Sequence, residues 1–380
     1  MARNENGKGF SLKDELFNER KVAALGKRFS DAYTVFDDVQ FTQTVMKTLL
    51  QLELKERIGC ITDALREQMP EDFEEASMVL VDVLPEPLDP TKTDNDFGDF
   101  IYAPLGEYVA RYGCTVRHIR TALATLREIT MRFSMEDAIR AFLNAYPKET
   151  LATMKQWASD DHYHVRRLVS EGTRPLLPWS GRIGIAQADT IPLLDTLYRD
   201  KTRYVTRSVA NHLNDIAKEK PELVTQTLKR WRREAKQEEK EMDWITRHAL
   251  RTLIKQGNTD ALQLLGYSPD PHIAVSGIAI NRDSVRIGQV IEFSFTITVY
   301  RDESLMIDYA VDFMKAGGKR AEKVYKIKKL HLRKGDTVTL MKKHRFPADA
   351  TTLTLYPGTH AIVLQINGTR HDSVDFELEA

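Results

Sequence analysis

A 40-residue periodicity governs the middle of this chain. The segments HVRRLVSEGTR from position 164, YVTRSVANHLN from 204 and WITRHALRTLI from 244 each set a β-branched residue two positions before an arginine. The pairs are Val165/Arg167, Val205/Arg207 and Ile245/Arg247, spaced 40 residues apart. Acids precede each copy: Asp160 and Asp161, then Asp200, then Glu238 and Glu239. A looser copy, TVRHIRTALATLREI, begins at 115. Within each copy apolar residues recur every three or four positions, the spacing of one helical face. A helical period near 40 is that of HEAT-like pairs. One such pair cannot bury its own apolar face, so neighbours stack around a continuous core. The chain is therefore expected to be mainly α. Its inner helices would line the concave surface of a solenoid, with the arginines at equivalent places along it.

Helical patterning extends from about residue 10 to 268, broken by AYPKET, KEKPEL and KQGNTD, each with a proline or glycine stop. Residues 85–99 read as a loop, and KRWRREAKQEEKEMDW (229–244) as a solvated, charge-paired helix. The turn-rich GYSPDPHIAVSG (266–277) then changes the pattern. SVRIGQVIEFSFTITVY, TTLTLYPGTHAIVLQING and SVDFELEA alternate apolar and polar residues, as half-buried strands do. Two domains are expected: a helical repeat domain over 1–268 and a small immunoglobulin-like β-sandwich over 269–380. The Cys-Trp-Cys pattern of antibody domains is missing from the second.

Lys+Arg and Asp+Glu both number 55, a neutral sum that conceals an uneven distribution. Residues 71–100 hold ten acids against Lys92 alone, while residues 315–345 hold twelve Lys/Arg against Glu322 and Asp336. In the basic stretch, strand alternation would gather Lys326, Lys328 and Lys323 on one exposed face, extended by Lys334, Lys342, Lys343 and Arg345. Such a cluster attracts a polyanion by counterion release; the alternative is an edge strand protected by lysines. Cys60 and Cys114 show neither metal nor disulfide spacing, which suits a reducing compartment. No signal-peptide core and no membrane-length apolar run is present. A cytoplasmic monomer without a membrane partner is expected.

The stretch VRRLVSEGTRPLLPWSGR (165–182) combines arginines, a carboxylate, a glycine and a proline-flanked tryptophan. Together with SMEDAIRAFL, YVTRSVANHLNDIAKEKPELV and RHALRTLIKQGNTDALQLLG, it resembles the AlkC family of DNA alkylation-repair glycosylases, in order and spacing, over most of residues 15–268. The β-rich tail looks like the immunoglobulin-like domain that some members append. The resemblance implies a DNA N-glycosylase of HEAT-like fold, related to the AlkD enzymes. It would remove cationic bases such as 3-methyladenine and 3-methylcytosine from damaged double-stranded DNA, without drawing the base into a deep pocket and without a cofactor.

The residues support that chemistry. A cationic base leaves easily, and the sugar turns oxocarbenium-like as the bond breaks. A carboxylate steadies that charge and positions water, an aromatic face attracts the cation, and arginines grip phosphate. The resemblance assigns Glu171 of SEGTRP and Glu136 of SMEDAIR to the site, with Trp179 of LPW facing the lesion. The alternatives are a salt bridge for Glu171, a first-turn acid behind an N-cap Ser134 for Glu136, and a loop anchor for Trp179. The glycine would permit close approach. Asp161 and Trp157 resemble an acid and aromatic that act in AlkD; their alternatives are a turn acid and a core residue. Phosphate candidates are Arg166, Arg167, Arg174, Arg207 and Arg247. For Arg167, Arg207 and Arg247 the alternative is a salt-bridge ladder between repeats. Asn211, with Asn214 and Asp215, would touch DNA or order Arg207. His162 and His164 find no third ligand cluster, so no metal is expected. The rival reading of the whole chain is a non-catalytic HEAT scaffold or a lesion-sensing DNA binder.

Overall fold

The computed structural model describes residues 2–3, 9–92, 94, 97–349 and 354–380. The chain divides into two compact units. One comprises Met1–Glu219 with Trp231–Ala249, the other Lys220–Arg230 with Leu250–Ala380.

The first unit is helical, apart from a two-residue strand pair, β1 (Ala2–Arg3) and β2 (Gly9–Phe10). Helices Ile119–Thr130, Tyr163–Gly172, Arg203–Ala217 and Glu239–Ala249 pack side by side in chain order. They are the helices of the four sequence copies. Helices Ile139–Ala145, Pro147–Trp157 and Gln187–Leu197 lie between the first three of them in sequence, and Pro221–Glu234 lies between the last two. Leu168, Val169, Val205, Val209 and Leu213 are fully buried, each contributing about 1.5–3 kcal/mol by leaving water. Gly172 ends its helix where a Cβ would lie 2.5 Å from the Ile139 side chain. Its close approach is thus to the neighbouring helix, a correction to the expectation of approach to a ligand.

Arginine–carboxylate pairs tie successive repeats. Arg127 Nε donates to Asp160 (2.7 Å), Arg166 Nε to Asp200 (2.5 Å) and Arg203 Nε to Glu241 (2.9 Å). A ladder between repeats therefore exists; of the three arginines expected in it, Arg167 reaches back to Glu136, Arg207 pairs with Asp94 and Arg247 is exposed. The charged segment 229–244 also differs from expectation. Its helix stops at Glu234, Ala235 turns left-handed (φ 48°), and a new helix starts at Glu239. Trp231 is buried rather than solvated, stacked on Tyr198 with its indole donating to Asp195.

The second unit ends in a sandwich of two sheets. One has the order β5 (Ser284–Arg286), β11 (Thr369–Glu379), β10 (Gly358–Ile366), β7 (Glu303–Met314), β8 (Arg320–Leu332). The other sets β3 (Ile273–Val275) and β4 (Ala279–Ile280) on β6 (Val290–Val299), which also pairs with β9 (Thr337–Arg345). β6 alternates buried and half-buried residues along its length; Phe293, Phe295 and Ile297 pack with Leu305, Ile307 and Leu364 in the core. The basic residues are divided between sheets. Lys326 and Lys328 on β8 are exposed, and a register shift on β7 between Ile307 and Asp308 sets Lys328 and Lys326 opposite them. Lys323 instead shares the face of Tyr325, 5.6 Å from its ring. On β9, Lys343 and Arg345 are exposed, whereas Lys342 is half-buried on the side of Val338, Leu340 and His344. The single exposed patch expected from alternation is therefore smaller than foreseen.

Candidate active site

The side chains of SMEDAIR and VRRLVSEGTR meet in one ion network. Arg167, on the helix Tyr163–Gly172, donates from Nη1 to Glu136 Oε2 (2.7 Å) and to Ser134 Oγ (2.9 Å). Its Nη2 lies 3.7 Å from Glu171 Oε1, one helical turn away. Arg174 Nη1 donates to Glu171 Oε1 (2.6 Å), Arg174 Nε to Asp215 (2.9 Å), and Ser208 Oγ to Glu171 Oε2 (2.6 Å). The Arg167 guanidinium stands 4.5 Å from the Tyr204 ring centre, a cation–π contact. Burial opposes the charge on Arg167, but Glu136 and Glu171 outweigh it and raise its pKa. Burial likewise opposes charge on Glu171, and Arg167, Arg174 and the Ser208 hydroxyl overcome it, holding the carboxyl below its ordinary range. Burial pushes the Tyr204 phenol up to about 12.

The two glutamates differ in access. Glu171 is 5% exposed and both its oxygens are engaged. The Glu136 side chain is 29% exposed. Ser134 does not cap a helix over Glu136; the helix starts later, at Ile139, and the Ser134 hydroxyl bonds Glu136 itself at 2.7 Å. Glu136 lines a cleft of about 280 Å³ whose walls include Leu16, Ile58, Phe100, Phe133 and Met135. Trp179 lines the same cleft. Its indole is 80% exposed, so it is no core anchor, and its φ is +72°. That region costs a bulky residue about 1–3 kcal/mol, strain of the kind that gathers at working sites.

The remaining candidates separate. Trp157 is buried, and Asp161 is an exposed turn residue whose carbonyl accepts from Arg166. Arg166 is committed to Asp200 and to the carbonyls of Asp160 and Asp161. Arg207 pairs with Asp94, out of the acidic segment, and sits 5.9 Å from Tyr204. Asn211 bonds His248 Nε2 at 2.9 Å, and Asp215 is buried against Arg174. Arg247 is exposed. His162 caps its own helix through Nδ1 and meets the Leu88 carbonyl through Nε2. Sequence reasoning missed Ser208 and Tyr204, which reach the network from the helix of the next repeat but are not the repeat equivalents of Glu171 and Arg167.

A helical-repeat unit with a buried Arg–Glu network, followed in the chain by an immunoglobulin-like sandwich, defines a class. Residues 114–253 match the family described as DNA alkylation repair enzyme, and residues 274–380 match that described as the C-terminal Ig-like domain of YhaZ. The chain is 34% identical to the YhaZ protein of Bacillus subtilis (strain 168) over 368 residues, 96% of this chain and 98% of that one. It is also similar to a solved structure, the Pseudomonas fluorescens alkylpurine DNA glycosylase AlkC bound to DNA containing an abasic site analog. That likeness has a TM-score of 0.85 at 34% identity and covers 98% of this chain and 100% of that one. The chain belongs to the AlkC-like family of DNA alkylation-repair glycosylases.

Proposed function

We propose that this chain hydrolyses the N-glycosidic bond of cationic alkylated bases, 3-methyladenine and 3-methylcytosine, in duplex DNA. The observation that carries this reading is a partly exposed carboxylate, Glu136, and an exposed indole, Trp179, on one cleft. The charged base is already a good leaving group. Positive charge grows on the sugar as the bond lengthens. Glu136 meets that charge and orients the attacking water. Trp179 covers the cationic base with its ring face, so the base has no need of a deep pocket. Glu171 shares the charge of Arg167, which leaves Glu136 more of its own. Arg207, Arg247, Lys326 and Lys328 are the phosphate contacts, Arg207 exchanging Asp94 for phosphate. The chain acts as a monomer, releases the base without cutting the strand and needs no cofactor.

The test incubates methylated duplex DNA with the protein and measures freed bases. Wild type releases them, and Glu136→Gln slows release by about 100-fold or more, the scale of losing one charge-stabilising group. Glu171→Gln slows it too. An unchanged rate in Glu136→Gln removes the assignment. Binding of damaged DNA with no release by wild type supports a lesion-sensing scaffold instead.

A further inference from the structure

The loop that presents Trp179 is held by a residue with no part in the chemistry above. Arg140 lies on the helix Ile139–Ala145 and is 3% exposed. Its Nη1 donates to the carbonyls of Gly172 (3.0 Å) and Arg174 (2.9 Å), and its Nε donates to the carbonyl of Gly181 (2.7 Å). Gly172 and Arg174 stand where the chain leaves its helix, and Gly181 stands just beyond Trp179. One guanidinium thus ties the loop's entry to its exit. Its hydrogen-bond partners are carbonyls, and Nη2 has none among the described residues. A buried cation without a paired carboxylate is costly. The Gly172 carbonyl, at a helix C-terminus, offsets part of that cost. What Arg140 provides in return is a fixed loop.

Trp179 needs such a hold. Its indole is 80% exposed, so core packing does not fix it, and its left-handed φ is rare for a bulky residue. A second, weaker tie lies beside the first: Asn144 Oδ1 accepts from Gly184 N (2.9 Å), and its Nδ2 donates to the Arg182 carbonyl (3.2 Å).

We infer that Arg140 is a positioning residue that closes the 172–181 loop so that Trp179 stands over the lesion, and that it acts on base release only through Trp179. This rests on the reading of Trp179 given under the proposed function. A lysine keeps the charge but lacks the planar fork that reaches three carbonyls.

The experiment compares single-turnover base release from methylated duplex by the full chain and by Arg140→Lys, Trp179→Ala and the double variant. Arg140→Lys should slow release roughly tenfold, within the ~100-fold that a 1 Å misplacement can cost. The double variant should be no slower than Trp179→Ala alone. Acrylamide quenching of the fluorescence component that Trp179→Ala removes should change in Arg140→Lys. Asn144→Ala, an exposed change, should repeat the pattern with a smaller loss, and it serves if Arg140→Lys fails to fold. Multiplying losses in the double variants, or in the Asn144→Ala pair alone, overturn the inference and leave the site reading standing. A Trp179→Ala rate equal to wild type overturns both.

Discussion

Arg167 holds its charge between two carboxylates of different access, Glu136 partly exposed and Glu171 buried, and the division of roles proposed for them rests on that asymmetry. Glu171 is buried with Arg174 and Ser208 as partners. Replacing it with glutamine removes the carboxylate that Arg167 and Arg174 share and leaves each with one, Glu136 and Asp215, which should cost about 1–3 kcal/mol in urea unfolding. Its carboxyl is held below its ordinary 4.5, so its contribution is intact at neutral pH and fades as pH falls below that value. A Glu171→Gln variant as stable as wild type would contradict this. His212 carries the opposite group with the same pH sense. Burial, aided by Arg174, pulls its imidazole from 6.5 to about 3 while it bridges the Ser170 carbonyl and the Thr190 hydroxyl. The unfolded chain takes up this proton first as pH falls, so stability present above 6.5 is lost between 6.5 and about 3. His344, drawn to about 4, adds to the same slope. The melting temperature should therefore drop from pH 7 to pH 5, and His212→Gln should flatten that drop. An identical slope in the variant would remove the attribution.

The Arg–acid ladder belongs to the scale of the elements, where it joins one helix pair to the next. Asp200 is nearly buried and accepts from Arg166, from Thr202 N and from the Thr202 hydroxyl. Arg166→Ala leaves that carboxylate short of its cation and should cost about 1–3 kcal/mol. A double-mutant cycle with Asp200→Ala should return a coupling of about 1 kcal/mol or more. Additive losses would mean that the pair merely lies on the surface of the stack. The same variants leave Glu136 and Trp179 untouched, so base release at low temperature should persist.

For the whole molecule the prediction concerns salt. If exposed cations of the sandwich touch phosphates, Lys326→Ala with Lys328→Ala should weaken binding to any duplex alike. The slope of log affinity against log salt should shrink by about 0.9 for each phosphate that is no longer neutralised. A slope equal to wild type would confine DNA binding to the helical unit. Among the described residues no helix is long and apolar enough to cross a membrane.

The solenoid, the change to strands near residue 270 and the segments that carry the site were legible in the amino-acid sequence. Periodicities of 40, 3.6 and 2 and proline stops are local patterns, visible without knowing what packs on what. Glu136, Glu171 and Trp179 were singled out as candidates through motif resemblance, and their proposed roles rest on it. Their proposed division of labour was not legible, because exposure depends on how far each helix is rotated toward its neighbours. Nor was it legible that Arg127, Arg166 and Arg203 carry rungs of the ladder, since each meets an acid more than 30 residues away in the chain. Arg140 gave no signal in sequence, since its three carbonyl partners lie 32–41 residues away. Side chains so far apart are joined only by packing, and packing is what tertiary structure alone decides.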